Sequence, residues 1–203
     1  MSFDHHASSA PTVDPVEFRA SQARAVLASR VPAMFADATV EHPAVADWVR
    51  RYLADPTSVR SLLLSGPTGV GKTHHAWALL RQVVEGRAQA GKGLLWRFTS
   101  HPGLNDELRP KPDGRHAYAL EPYLAAELLV LDDLGAGKQS EWTGDSLHRL
   151  VDHRWQHRLV TVYSTNLTAQ QLTDAVGDRV VSRLADAERV VIKGDDRRWT
   201  GAR

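Results

Sequence analysis

The chain has 203 residues, of which 42% are hydrophobic, 24% charged and 7% aromatic, a globular composition able to bury one core. Its 25 Lys and Arg against 24 Asp and Glu give a formal charge of +1, so bulk attraction to nucleic acid or an anionic membrane is excluded and any such contact must be a local patch. With no cysteine there is no disulfide framework and no thiolate metal site, and no uncharged apolar stretch approaches the roughly 18 residues that span a bilayer.

The opening MSFDHHASSAPTVDP has neither a basic n-region nor an apolar h-region, so a cytoplasmic protein is expected. Residues 1–13 are small, polar and aperiodic and read as a flexible tail. Asp14 followed by Pro15 is an N-cap with proline at the first helical position, and it opens a helix through VEFRASQARAVLASR that ends before Pro32. Residues 14–42 thus form a short helical arm and linker. Along the arm Phe18, Ala25 and Val26, with Val16 or Gln22, make a modest apolar stripe suited to a hydrophobic groove.

The main domain is expected over 43–203. Its first helix starts at Pro43, repeats apolar residues at Val45, Trp48, Val49 and Tyr52, and stops at Asp55-Pro56. SLLLSG after Arg60 is a strand, Gly71 to about Gln89 a helix, and GLLWRFTS a second strand. Two short helical segments flank the turn-rich PKPDG at 110–114. ELLVLDD at 127–133 is a continuous apolar run of the kind found in a fully buried parallel strand. A helix from Glu141 to His157, strand LVTVYST, a helix near Gln170, another across Asp178 to Leu184 and strand ERVVIK complete the alternation. This pattern predicts an α/β three-layer fold around a mainly parallel sheet of five strands.

Gly66-Pro67-Thr68-Gly69-Val70-Gly71-Lys72-Thr73 matches GxxxxGK[ST] between a predicted strand and a predicted helix. The glycines let backbone amides turn inward around a phosphate, and the helix N-terminus adds its dipole. In such a loop Lys72 reaches the β- and γ-phosphates of ATP and the Thr73 hydroxyl sits on Mg²⁺. The apolar run ending at Asp132 and Asp133 supplies the second half of an ATPase site. Asp132 is the expected Mg²⁺ ligand. Asp133 falls where a base would polarise the attacking water, provided its strand lies beside the phosphate-loop strand.

Other features carry less. His153 and His157 have chelating i, i+4 spacing but no third ligand, and His74 and His75 follow the phosphate loop; all four read as structural or exposed. Trp48, Trp77, Trp96, Trp142 and Trp155 fall at apolar-face positions where core packing outweighs stacking on single-stranded DNA. Arg109, Lys111 and Arg115 surround a Pro-rich loop that reads equally as a phosphate contact and as a solvated surface.

With these residues in place, the chain resembles the AAA+ ATPases of the DnaC/IstB type, the replicative helicase loaders and transposition helper ATPases. The likeness covers roughly residues 31–198 and includes VPAMFADATVE, Ser164-Thr165-Asn166 at a strand end, GDRVVSRL at 177–184 and the closing VIKGDDRRW. The resemblance implies that Asn166 is the sensor 1 residue. It also implies that Arg183, with Arg179 as second candidate, projects into the ATP site of the next subunit, and hence a homo-oligomer with sites at its interfaces. It further implies a replicative helicase as partner. The sequence departs from the family in its short N-terminal arm and in a lid that is reduced or absent after Arg183, with Arg197 or Arg198 as weak sensor 2 substitutes, and Asp at 133, one methylene shorter than the Glu of many ATPases, is compatible with slow ATP hydrolysis. A transposition helper and a nucleotide-gated binding module are the alternatives.

Overall fold

The computed structural model describes residues 14–109, 120–137 and 141–196, leaving out the side chains of residues 19 and 141. The tail at 1–13, the PKPDG loop with Lys111 and Arg115, and Arg197 and Arg198 lie outside the described residues.

Helix α1 (Pro15–Ala28) begins as its sequence predicts, with the Asp14 carboxylate accepting from the Val16 amide at 2.9 Å. Helix α2 (Pro43–Ala54) buries Val45, Trp48, Val49 and Tyr52, the four residues of its predicted face. A bidentate pair from Arg51 to Glu188, at 3.0 and 2.6 Å, ties α2 to the last strand.

The strands are β1 (Leu62–Ser65), β2 (Trp96–Ser100), β3 (Leu128–Asp132), β4 (Val160–Thr165) and β5 (Glu188–Val191). They form one parallel sheet in the order β2-β3-β4-β1-β5. Between them run α3 (Lys72–Gln89), α4 (His101–Leu108), α5 (Glu121–Leu124), α6 (Glu141–Gln156), α7 (Ala169–Val176) and α8 (Asp178–Leu184). Alternate residues of the strands feed two cores. Leu62, Leu64, Val130 and Val162 join α2 and α3 on one face, whereas Leu129, Leu131 and Tyr163 join α4 to α8 on the other. This is the three-layer α/β arrangement that the alternating pattern predicts.

One condition attached to Asp133 is not met. β3 does not lie beside β1, because β4 stands between them. All six residues of β4 are buried, and a strand covered on both faces belongs at the centre of a sheet. Three of those six are serine or threonine, whose hydroxyls an apolar environment tolerates only when they are hydrogen-bonded. Thr161 Oγ1 accepts from Arg154 Nε at 2.8 Å, Thr165 Oγ1 donates to the carbonyl of Leu134 at 2.9 Å, and Ser164 turns toward β3. Arg154 itself is 1% exposed and also donates to the carbonyls of Tyr123, Ala126 and Val160, binding α6 to α5 and to the start of β4. Burial pushes its guanidinium down to about 10.

Two sequence expectations about packing fail. α1 lies along α3 with Ala20 and Leu27 buried, while Phe18, Ala25 and Val26 of the predicted stripe face outward. The small Ala20 permits the close helix approach, and Leu27 supplies the apolar contact to the core. Trp48, Trp77 and Trp96 are core residues, but Trp142 and Trp155 are 40% and 47% exposed. α6 fills its inner face with Leu147, Leu150, Val151 and Arg154, which turns Trp155 outward, where its indole donates to Asp186 at 2.5 Å.

Candidate nucleotide-binding site

The carboxyl ends of β1, β3 and β4 meet at one edge of the sheet, the edge at which open α/β sheets hold ligands. The loop after β1 wraps from Gly66 to the start of α3. Gly71 caps that helix at φ 98°, and Gly69 has φ 85°. Both conformations favour glycine over any other residue. At Gly69 an added Cβ would also lie 2.0 Å from Asp196 Oδ1, so the segment after β5 sets a carboxylate against the loop.

Lys72 is 6% exposed, and its ammonium bends back to donate to the carbonyls of Gly66 at 2.9 Å and Pro67 at 2.7 Å. It is therefore held inside the turn of the loop, at the mouth of the α3 N-terminus. Val70 is buried beneath it, and the Thr68 hydroxyl accepts from Asn166 Nδ2 at 3.1 Å. Thr73 Oγ1 donates to Asp132 Oδ2 at 2.8 Å. Contact between β1 and β3 is thus unnecessary, because α3 packs over β4 and β3 and carries Thr73 across the intervening strand.

Asp132 is 4% exposed. Burial pushes its carboxyl above the usual range, hydrogen bonds from Ser164 and Thr73 pull it down, and the charge of Asp133 pushes it up. Asp133 is exposed, takes the left-handed conformation at φ 52°, and donates its amide to Ser164 Oγ at 2.9 Å. The sequence-derived residues of the loop, Asp132, Asp133 and Asn166 are therefore brought together. The hydroxyl and carboxylate at Thr73 and Asp132 are hard oxygens, and this small donor set fits Mg²⁺, which in nucleotide sites takes its other ligands from phosphates and water. Among the described residues, no group of three or more His, Asp or Glu forms a separate metal site. His75 is buried, His74 contacts the backbone of Thr39, and His153 stacks on His157.

Arg183 is elsewhere. Its Nε and Nη2 lie 3.0 and 2.9 Å from Asp152 Oδ1, and its guanidinium sits 5.1 Å over the Trp155 ring. It lines a cavity of about 940 Å³ with Arg60, Ser61, Leu159 and Val160, which precede or begin β1 and β4. It therefore lies at the opposite edge of the sheet from the phosphate loop of its own chain. Arg179 is exposed on the same helix, and Arg109 pairs with Asp106 at 3.4 Å.

Sequence reasoning missed the roles of Ser164 and Asp196. A serine in a run otherwise destined for the core was the available signal for the first. Nothing local announces the second, because Asp196 is far from Gly69 in sequence and reaches it only through the pairing of β5 with β1.

A phosphate loop after the second-last strand of a five-stranded parallel sheet ordered in this way defines an ATP-binding protein of the P-loop AAA+ class. The chain belongs to the IstB-like ATP binding protein family, whose profile matches residues 40–200. It is 34% identical over 128 residues to a putative ATP-binding protein of insertion sequence IS1162 from Pseudomonas fluorescens, covering 63% of this chain and 48% of that protein. It is 25% identical over 129 residues to the replicative helicase loader DnaC of Escherichia coli K12, covering 63% of this chain and 51% of that protein. The chain thus spans about half the length of these relatives. Among solved structures, it superposes on the DnaC helicase loader with a TM-score of 0.64 at 24% identity, over 80% of this chain and 100% of that one. The match to DnaI has a TM-score of 0.67 at 21% identity, over 83% and 94% of the two chains. These likenesses carry the fold. No helix of the described residues is long and apolar enough to cross a membrane.

Proposed function

We propose that the chain is an ATP-hydrolysing switch that acts on a DNA-handling protein assembly. The observation that supports this best is the meeting of Lys72, Thr73, Asp132, Asp133 and Asn166, drawn from three strand ends, around one phosphate loop. On nucleotide binding Lys72 exchanges the carbonyls of its own loop for phosphate oxygens, and the loop amides at the α3 N-terminus take up further negative charge. Thr73 and Asp132 would hold Mg²⁺, which would supply positive charge to the phosphates. Asp133 accepts a proton from the attacking water, and Asn166 orients that water from the neighbouring strand. Arg183, remote from its own loop, serves the site of an adjacent copy.

Asp133→Asn tests the base. Asn tolerates the left-handed conformation at φ 52°, so the turn persists while proton acceptance is lost. ATP affinity is expected to stay within a few-fold of the parent while turnover falls by about 10²-fold or more. Equal turnover would place the base elsewhere.

Two partner readings follow. The 34% identity to an insertion-sequence protein favours a transposition helper that acts on a transposase. The outward apolar residues Phe18 and Val26 of α1 favour a helicase loader, since a short helix with few anchors can seat in a groove of a replicative helicase. Purified full-length chain with a non-hydrolysable ATP analogue is to be titrated against both proteins. The loader reading expects helicase binding that disappears when residues 1–30 are removed, with nucleotide affinity unchanged. Binding to transposase that survives this truncation contradicts it and supports the helper reading.

A further inference from the structure

Ser164 holds a position that neither the phosphate-loop motif nor the acidic strand end predicts. It is 0% exposed at the carboxyl end of β4, between the strand that precedes the phosphate loop and the strand that ends in the two acids. Its hydroxyl meets two partners on β3 and the turn after it. The Asp133 backbone amide can only donate, so at 2.9 Å Ser164 Oγ must accept. The single hydroxyl proton is then committed to Asp132 Oδ1, with which Ser164 makes a short hydrogen bond. That engages one oxygen of the carboxylate and leaves Oδ2 turned to Thr73. The same hydroxyl anchors the amide of Asp133 in its left-handed conformation. Two residues further along the strand, Asn166 contacts Thr68 of the phosphate loop.

We propose that Ser164 is a positioning residue for the nucleotide site: one buried hydroxyl sets both the carboxylate plane of Asp132 and the backbone of Asp133, so that the metal-facing oxygen and the exposed acid point to the same place. The proposal rests on the reading that Asp132 and Asp133 serve Mg²⁺ and ATP. It adds that their geometry is imposed from β4 rather than by their own strand. An alanine here keeps the fold of β4, because its backbone pairs are untouched, but lets Asp132 rotate and frees the Asp133 amide. Hydrogen-bonding partners of metal ligands typically change metal affinity 10- to 100-fold when removed.

The test uses the full chain and Ser164→Ala, Ser164→Cys and Ser164→Thr, with a fluorescent non-hydrolysable ATP analogue titrated at fixed Mg²⁺ concentrations and in EDTA. Ser164→Ala is expected to need about tenfold more Mg²⁺ for half-maximal enhancement of binding, with affinity in EDTA unchanged. In the chain without metal or nucleotide, hydrogen exchange at the Asp133 amide is expected to quicken by about tenfold or more, because its acceptor is gone. Ser164→Thr keeps the hydroxyl and should restore both readouts. Ser164→Cys, close to serine in size but a weak hydrogen-bonding partner, should behave as alanine does and makes the test independent of whether alanine is tolerated. Unchanged Mg²⁺ dependence and unchanged Asp133 exchange in the Ala or Cys variant overturn the proposal. An equal loss of affinity with Mg²⁺ and in EDTA also overturns it, since that marks general damage to the site. If the parent chain itself binds the analogue with no response to Mg²⁺, the assignment of Asp132 and Thr73 fails instead.

Discussion

Lys72→Ala is expected to raise the dissociation constant for ATP by about 10²-fold or more, the scale of removing one charged partner from a largely desolvated ion contact. Lys72 is buried in the turn of the loop, where its ammonium donates to the carbonyls of Gly66 and Pro67. The loop amides remain, so weak phosphate affinity survives, but the cation that balances the β- and γ-phosphates is gone. Its loss also removes two hydrogen bonds from the carbonyls of Gly66 and Pro67, which have solvent as a substitute only if the loop opens. Thermal unfolding without nucleotide separates the two effects. A fall of a few degrees in Tm with loss of binding fits this account, whereas wild-type affinity for a fluorescent ATP analogue refutes the assigned loop.

Arg183→Ala is expected to leave ATP affinity unchanged and lower steady-state hydrolysis by about 10³-fold, the lower end of the effect of arginine fingers in phosphoryl transfer. The reason is spatial. Arg183 sits at the amino edge of the sheet beside Ser61 and Val160, and the length of β1 separates it from the phosphate loop of the same chain. A guanidinium there acts on a phosphate only if that phosphate belongs to another copy. Asp152 and Trp155 hold it at the surface in a half-buried state, so it is presented rather than extended. Mixing decides the matter. Arg183→Ala subunits combined with Lys72→Ala subunits should recover part of the lost turnover, because one complete site forms where the intact loop of the first meets the intact arginine of the second. No recovery, together with a monomer by light scattering in ATP, removes action in trans.

The parts of the molecule governed by local chemistry were readable from the sequence. The Asp14 cap, the Val45, Trp48, Val49 and Tyr52 stripe, and the turn from Gly66 to Thr73 each depend on residues within a few positions of one another. Strand order was less accessible, because it depends on how crossovers pack. The sequence ties the role of Asp133 to a strand lying beside β1, yet β4 intervenes and α3 bridges the gap through Thr73. The polar residues of β4 show the same limit. Thr161, Ser164 and Thr165 look like interruptions in an apolar strand until Arg154, Asp132 and Leu134 are seen to supply their partners. The α1 stripe failed for a third reason. Periodicity ranked side chains by hydrophobicity, whereas close contact with α3 selected the small Ala20 and left Phe18 outside.

Hydrolysis of ATP is assigned to the residues gathered at the carboxyl edge of the sheet. Its most direct measurement is phosphate release by the purified full-length chain at saturating ATP, with Mg²⁺ and with EDTA, beside Lys72→Ala and Asp133→Asn under the same conditions. Release is expected to require Mg²⁺, to be lost in Lys72→Ala, and to fall by about 10²-fold or more in Asp133→Asn while nucleotide binding persists. Release that continues in EDTA or in Lys72→Ala, or no release from the parent chain at any protein concentration, contradicts that assignment.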